Sequence, residues 1–423
     1  MFKELSSPIY LQWEVTSLCN YKCLHCYNAW RNSQNTIRPS KHLYQKIADE
    51  IIANKVFYTT ITGGEPIIVF DEIKPYLEQL HEAGICISMN TNASLITEDI
   101  ASQLKKIGIE HVLVSVPSGN EHVCDRITQY QDSLAQTMEG IRNLLNEDIS
   151  VSINMVISLE NIDTIYETAK IFKDLPIRSF CATRAATPCS YKQFSKYRIN
   201  REQLEAVFDK LLYIEDDLRL NVSTLEFYPY CAFNQEKHFY KFGNKMCSAG
   251  KTEAAISYDG NIKPCPHTVV SYGNINDGLR TAWKAMNSDW RTEKLIPDVC
   301  SECGYRILCA GGCKQEAYNC FHSLGSIDPL ADPICGYKRT KKERVNLKEY
   351  YTVNANIKVR KENNNNVILF KQANKWVLIQ KKLADILLHN KTISYQLLSE
   401  RLQIDRSEYE TIVLELISKH IIF

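Results

Sequence analysis

The 423 residues are more than one hydrophobic core usually serves, so two or three domains are expected. With 44% hydrophobic and 23% charged residues the chain reads as globular, and a formal net charge of +1 excludes a general pull toward nucleic acid or an anionic membrane. No apolar run approaches a membrane span, and the N-terminal MFKELSSPIY lacks the apolar region of a signal peptide. Sixteen cysteines without such a signal point to metal ligands in a reducing compartment, so a cytoplasmic location is expected.

From about residue 9 to 216, apolar β-type runs alternate with amphipathic stretches. Strands are predicted near 9–15, 56–62, 85–91, 110–116, 149–157 and 177–183, with helices such as 71–83, 97–107 and 160–174 between them. Such alternation implies parallel strands joined by helical crossovers. Periodicity alone does not separate a partial barrel from an open doubly wound sheet. In a barrel the working residues follow the C-terminal ends of the strands.

The first run ends in Cys19-Asn-Tyr-Lys-Cys23-Leu-His-Cys26. Three cysteines on one loop suit one face of a cubane iron–sulfur cluster, whose usual ligands are four thiolates, and would leave one iron open. A zinc knuckle or unrelated thiols are the alternatives; structural zinc generally wants four ligands, and no close fourth is obvious. The second run ends in Thr62-Gly63-Gly64-Glu65-Pro66. Its glycines let backbone approach a ligand closely, and Glu65 can meet a cationic amine. A simple strand-to-helix turn is the alternative. The third run ends in Met89-Asn90-Thr91-Asn92, the fourth carries Ser115 with Arg126 on the following loop, and the fifth carries Asn154. A buried amide among apolar neighbours must find partners.

The C-x3-C-x2-C run together with Gly63-Gly64-Glu65-Pro66 resembles the radical S-adenosylmethionine (radical SAM) superfamily, here with His25 before the last cysteine and Tyr27 after it. The resemblance implies an α/β fold with a partial (β/α)6 barrel over residues 1–230, in which Cys19, Cys23 and Cys26 hold a 4Fe–4S cluster. It implies that Gly63, Gly64, Glu65 and Pro66 meet the amino group of the methionine moiety. Tyr27, Asn92, Ser115, Arg126 and Asn154 are the other cofactor contacts it suggests. Ser115 stands where the family has a V-S-L-D-G run, with Pro117-Ser118 in place of Asp-Gly. Arg126 would face the methionine carboxylate and Asn154 the ribose hydroxyls. An exposed structural arginine and a packing amide are the alternatives for these two.

Alternation stops after a predicted helix at 201–216, and residues 231–335 hold nine cysteines. Cys247 is followed by Gly260 and Cys265, then Cys300-x2-Cys303-x5-Cys309-x3-Cys313, and finally Cys335. This spacing is similar to all seven positions of the SPASM domain pattern. A pair of zinc ribbons is the alternative, but it favours two C-x2-C knuckles where one is present. In the family these cysteines hold two auxiliary 4Fe–4S clusters. The pattern assigns Cys247, Cys265 and Cys313 to the first, and Cys300, Cys303, Cys309 and Cys335 to the second. Cys231 and Cys320 are spare thiols that would complete the first, unless its iron stays open. Cys86, Cys124, Cys181 and Cys189 need no function. A SPASM domain is expected over 231–345.

The basic run 338–344 and the polar stretch ending in Asn363-Asn-Asn-Asn366 read as solvated connectors, with a linker over 346–366. The tail, 367–423, is expected to form a hairpin from 367–371 and 375–379, three helices near 380–388, 394–402 and 406–419, and a terminal strand. Such a small winged-helix-like α+β domain binds DNA, a peptide, or its own chain. It distantly resembles the peptide-recognition element of enzymes that modify ribosomally made peptides, which pairs a hairpin edge with a leader peptide.

The resemblance implies an enzyme that uses S-adenosylmethionine and three 4Fe–4S clusters to abstract a hydrogen atom from a precursor peptide. A thioether cross-link is the first expected product and a carbon–carbon link the next. The expected partners are the precursor peptide and an external one-electron reductant of flavodoxin or ferredoxin type, with no nucleic acid and no membrane. A sulfatase-type maturase oxidising a Cys or Ser is one alternative. A non-enzymatic iron–sulfur scaffold or redox-sensing DNA binder is another.

Overall fold

The computed structural model describes residues 4–28, 38–188, 192–243, 245–333 and 347–423. Cys335, Cys189 and the basic run 338–344 lie outside them. The described residues fall into two compact units, one spanning 7–333 and the other combining 4–6 with 347–423.

In the first unit the alternating sequence folds as β1 (Tyr10–Glu14), α1 (Lys41–Ala53), β2 (Tyr58–Thr62), α2 (Phe70–Glu82), β3 (Cys86–Thr91), α3 (Glu98–Ile107), β4 (Ile109–Ser115), α4 (Glu121–Thr128), α5 (Ser133–Asn146), β5 (Ser150–Ile157), α6 (Ile165–Lys170), β6 (Ser179–Arg184), α7 (Arg201–Leu218) and β7 (Val222–Ser223). Side-chain caps start several helices: Ser40 accepts from Leu43 N, Thr97 from Ile100 N, and Asn200 forms a capping box with Gln203. The strands are buried almost throughout, as in β3 and β5, because helices cover parallel sheets.

Neighbouring strands from β1 to β7 pair in parallel and in chain order. A doubly wound sheet reverses its order at a switch point; this one does not, which makes it the partial barrel. The sheet extends past the six expected strands. Among the described residues it has nine, in the order β7-β6-β5-β4-β3-β2-β1-β8-β9. β8 (Glu253–Ile256) pairs parallel to β1, from Tyr10↔Glu253 to Trp13↔Ile256, and β9 (Ile262–Lys263) returns antiparallel. The cysteine-rich segment therefore continues the barrel's own sheet. Its helices are α8 (Glu236–His238), α9 (Leu279–Trp290), α10 (Arg306–Cys309) and α11 (Lys314–Phe321).

The second unit contains β10 (Tyr350–Thr352), β11 (Lys358–Lys361), β12 (Asn366–Gln372), β13 (Lys375–Gln380), α12 (Lys381–His389), β14 (Thr392–Ser394), α13 (Tyr395–Leu402) and α14 (Arg406–Ser418). The expected hairpin and three helices form, and Ile422 bridges to Val353 near the chain's end. The stretch expected to be a linker is corrected: β10 and β11 lie in it. Tyr351 is only 3% exposed and packs with Leu369, Ile393, Leu398 and Tyr409. The asparagine run is the β11–β12 turn, with Asn364 and Asn365 at φ +55° and +57°, a conformation asparagine tolerates better than most residues.

Candidate cofactor site

β1 leads into the cysteine loop, and the loop after β2 clamps it by backbone pairing. Val15 N donates to Thr62 O at 2.8 Å, and Gly64 N to Thr16 O and Glu65 N to Leu18 O at 2.7 Å each. A Cβ on Gly64 would stand 1.9 Å from Leu18 O, and one on Gly63, at φ +144°, would stand 2.5 Å from Thr16 O. The glycines thus make room for the cysteine loop's own backbone, a close approach their sequence pattern had suggested for a ligand. From another side, Lys22 N donates to Thr128 O at 2.9 Å and Leu24 N to Ile127 O at 2.8 Å. Asn20 closes a third: its Nδ2 donates to Ser94 Oγ, and its Oδ1 accepts from Asn92 Nδ2, both at 2.9 Å. Held in this frame, Cys19 is exposed and Cys23 and Cys26 are half-buried. Asn92, expected at the cofactor, belongs to the frame.

Glu65 is buried at the start of a short turn, Pro66–Val69, with Pro66 at its head. Its Oε1 accepts from Ile67 N at 3.1 Å and Thr91 Oγ1 at 2.7 Å, and its Oε2 from Asn92 N at 2.8 Å. Burial pushes its carboxyl above the ordinary range, with these hydrogen bonds pulling the other way. A carboxylate has about four acceptor sites, so a cationic donor still finds one. Ser115 and Asn154 lie opposite each other on β4 and β5. Asn154 Oδ1 is buried without a hydrogen-bond partner, a vacancy that suits a ligand hydroxyl. Arg126 matches the alternative of an exposed structural arginine. It lies in the last turn of α4, its Nε donates to Glu160 Oε2 at 3.0 Å, and its side chain is 54% exposed.

Tyr27 is half-buried with its ring 4.2 Å from that of His267. Burial, then the Glu14 carboxylate and the Cys26 and Cys265 thiols, push its phenol well above the ordinary range. Tyr27 thus stands between the barrel's cysteine loop and the cysteine-rich segment. Beneath it Glu14, at the end of β1, accepts from Lys263 Nζ at 2.9 Å; both are buried. Burial holds the Glu14 carboxyl up at about 7 despite the lysine. Sequence reasoning missed Glu14, Lys263 and His267; the apolar strand pattern hid a buried acid, and only the β1–β8 pairing brings the three together.

Cys247 and Cys309 line one cavity of about 270 Å³ with Lys251 and Lys314. The Cys247 and Cys265 thiols interact, as do those of Cys300, Cys303 and Cys309. Burial raises each of Cys247, Cys265, Cys300, Cys309 and Cys313, and the lysines at Cys247, Cys265 and Cys300 work against it. Thiols beside ammonium groups fit an anionic iron–sulfur cluster, because thiolate is the ligating form. Cys231, one of the two spare thiols, is half-buried. Its thiol accepts from Asp332 N at 3.2 Å, and the thiols acting on it are Cys309 and Cys300. Cys320 accepts from Arg198 Nη1 at 2.7 Å.

Arg184, at the end of β6, ties this segment to the barrel. Its two terminal nitrogens donate to Asp328 at 2.9 and 2.6 Å, and Glu226 lies 2.8 Å away. Burial disfavours its charge, but the Asp328 and Glu226 carboxylates more than offset this. Asp328 also accepts from Cys313 N at 3.0 Å, which positions that cysteine.

A strand-ordered partial barrel with a clamped three-cysteine loop, beside a cysteine-rich segment, is the class of fold that suits an iron–sulfur enzyme, although among the described residues no three ligating side chains are gathered closely enough to hold a metal. Family profiles agree: the radical SAM superfamily matches residues 13–172, and the iron–sulfur cluster-binding SPASM domain matches 247–304. Residues 13–172 thus match a radical SAM domain and 247–304 a SPASM iron–sulfur domain. The chain's cofactors are accordingly S-adenosylmethionine, a 4Fe–4S cluster and auxiliary iron–sulfur clusters. It is 24% identical to the AdoMet-dependent heme synthase of Methanosarcina barkeri, over 81% of this chain and 100% of that one. It is 25% identical to the mycofactocin maturase MftC of Mycolicibacterium smegmatis, over 81% and 88%. The structure of Streptococcus suis SuiB bound to S-adenosylmethionine superposes with a TM-score of 0.63 at 20% identity, covering 78% of each chain, and SuiB is also known bound to its precursor peptide SuiA. No helix among the described residues is long and apolar enough to cross a membrane.

Proposed function

We propose that this enzyme modifies a ribosomally made precursor peptide by hydrogen-atom abstraction, forming a thioether or carbon–carbon cross-link. The observation that carries this reading is the second unit, which presents a three-stranded antiparallel sheet in the order β11-β12-β13. Its edges are β11 and β13, and β13, the edge strand of the hairpin, is the one a leader peptide would extend by strand addition. MftC, named as a maturase, and SuiB, seen with a precursor peptide, support the same substrate class. The alignment with the heme synthase favours a second reading, because it spans all of that enzyme. A small-molecule substrate, however, gives the second unit no task, whereas a leader peptide does.

When bound, S-adenosylmethionine and the reduced cluster supply hydrogen abstraction from an unactivated C–H bond. The chain's residues bind and orient. Cys19, Cys23 and Cys26 hold the cluster. Glu65 accepts from the methionine amine, Asn154 Oδ1 accepts from a ribose hydroxyl, and Ser115 lies beside it. Gly63, Gly64, Pro66 and Asn92 shape the loops that hold these groups, and Tyr27 closes the side toward the SPASM segment. Cys247, Cys265 and Cys313 hold one auxiliary cluster, and Cys300, Cys303, Cys309 and Cys335 the other. An external flavodoxin- or ferredoxin-type protein in the cytoplasm supplies the electron.

Truncation tests the reading. Because Tyr351 is part of the second unit's core, the cut belongs at residue 347. Reduced truncated enzyme should still release 5′-deoxyadenosine from S-adenosylmethionine. Its binding of fluorescent precursor should weaken at least about tenfold, roughly 1.4 kcal/mol. Equal dissociation constants with intact clusters would eliminate the leader-binding role.

A further inference from the structure

Lys314 follows Cys313 and opens α11. It is 5% exposed, yet its Nζ has no hydrogen-bond partner. An ammonium buried without an anion costs several kcal/mol, so such a group is kept where negative charge arrives. Lys314 faces the cavity that Cys247 and Cys309 line. The thiols that line it are those of Cys247 and Cys309, and two further cations, Lys251 and Arg291, line it as well. The one carboxylate lining that cavity, Glu293, is directed to Arg306, 4.0 Å away. The anion that would satisfy Lys314 is therefore one carried by these sulfurs.

We propose that Lys314 is the built-in counter-charge of the auxiliary cluster held at Cys300 and Cys309, and that it sets that cluster's reduction potential. The proposal rests on the SPASM assignment of those cysteines. Cluster potentials follow net charge, hydrogen bonds to sulfur and solvent exposure. A fixed ammonium beside the sulfurs favours the reduced, more negative state, and so raises the potential. Lys314 acts through the cluster, as a positioning charge.

The test is a redox titration of the full-length, reconstituted protein followed by electron paramagnetic resonance, with iron counted in every sample. Lys314→Met keeps the stem and removes the charge; Lys314→Arg keeps the charge. In Lys314→Met one auxiliary midpoint should move to lower potential by at least about 59 mV, a tenfold change in a one-electron equilibrium. Lys314→Arg should stay near wild type. Iron lost from the Met variant but retained by the Arg variant would also support a required counter-charge. An unmoved midpoint at full iron content, or iron lost equally from both, would overturn it. A wild-type protein holding iron for only one cluster would instead refute the SPASM assignment itself.

Discussion

The cysteine loop at the end of β1 and the thiol cavity of the SPASM segment hold similar ligands by opposite means. In the loop, three cysteines lie within eight residues, and backbone hydrogen bonds from the β2 and α4 ends clamp them. Gly63 and Gly64 provide the fit. In the SPASM segment the thiols of the first set come from positions up to 66 residues apart, Cys247 to Cys313. There buried charges do the holding: Arg184 with Asp328, Glu14 with Lys263, and Lys251 and Lys314 beside the sulfurs. A site close in sequence can be built by chain geometry. One gathered from afar needs strong, directional side-chain contacts to fix its parts.

The largest effect should come from the loop. Changing Cys19, Cys23 and Cys26 together to Ala should abolish release of 5′-deoxyadenosine and lower iron from about twelve to about eight per chain, on four irons per cluster. Product from the triple variant would undo the contrast at its root. On the charge-built side, Arg184→Met should cost roughly 3–5 kcal/mol, since it leaves Asp328 and Glu226 buried without their cation. Denaturant unfolding reads this, and a loss under 1 kcal/mol would show that the buried charges are not what holds that side. Gly64→Ala should cost about 3 kcal/mol by forcing the two loops apart. It should also remove cleavage activity while leaving auxiliary iron in place; full activity would mean that the loops need no such approach. The smallest effect is expected at Arg126. Its pair with Glu160 is exposed, so Arg126→Gln should cost under about 1 kcal/mol and leave the affinity for S-adenosylmethionine unchanged. A tenfold weaker affinity would return Arg126 to the cofactor.

The clamped loop was legible because its determinants are neighbours in the chain. Cys19, Cys23 and Cys26 announce their chemistry by spacing, and Gly63-Gly64-Glu65-Pro66 by composition. The role of the glycines was legible only in part, since the backbone they admit belongs to Thr16 and Leu18, more than forty residues earlier. Arg126 left two readings open because a lone arginine after a strand says nothing of Glu160, which folds beside it. The strands β10 and β11 were hidden by polar and asparagine-rich sequence, which spells linker until Tyr351 is seen buried and Asn364 and Asn365 are seen turning.

By itself the sequence determined the alternation of strands and helices, the cysteine spacings and the hairpin-plus-helices of the tail. These depend on side-chain period and covalent reach, which act within a few turns of chain. Only the tertiary structure decided that β8 joins β1, and with it that Lys263 meets Glu14 across 249 positions. It also decided that Arg184 grips Asp328 across 144 positions and that Lys314 is left facing thiols. Contacts at such separation are set by how crossovers bring strand ends together, and no local pattern encodes them.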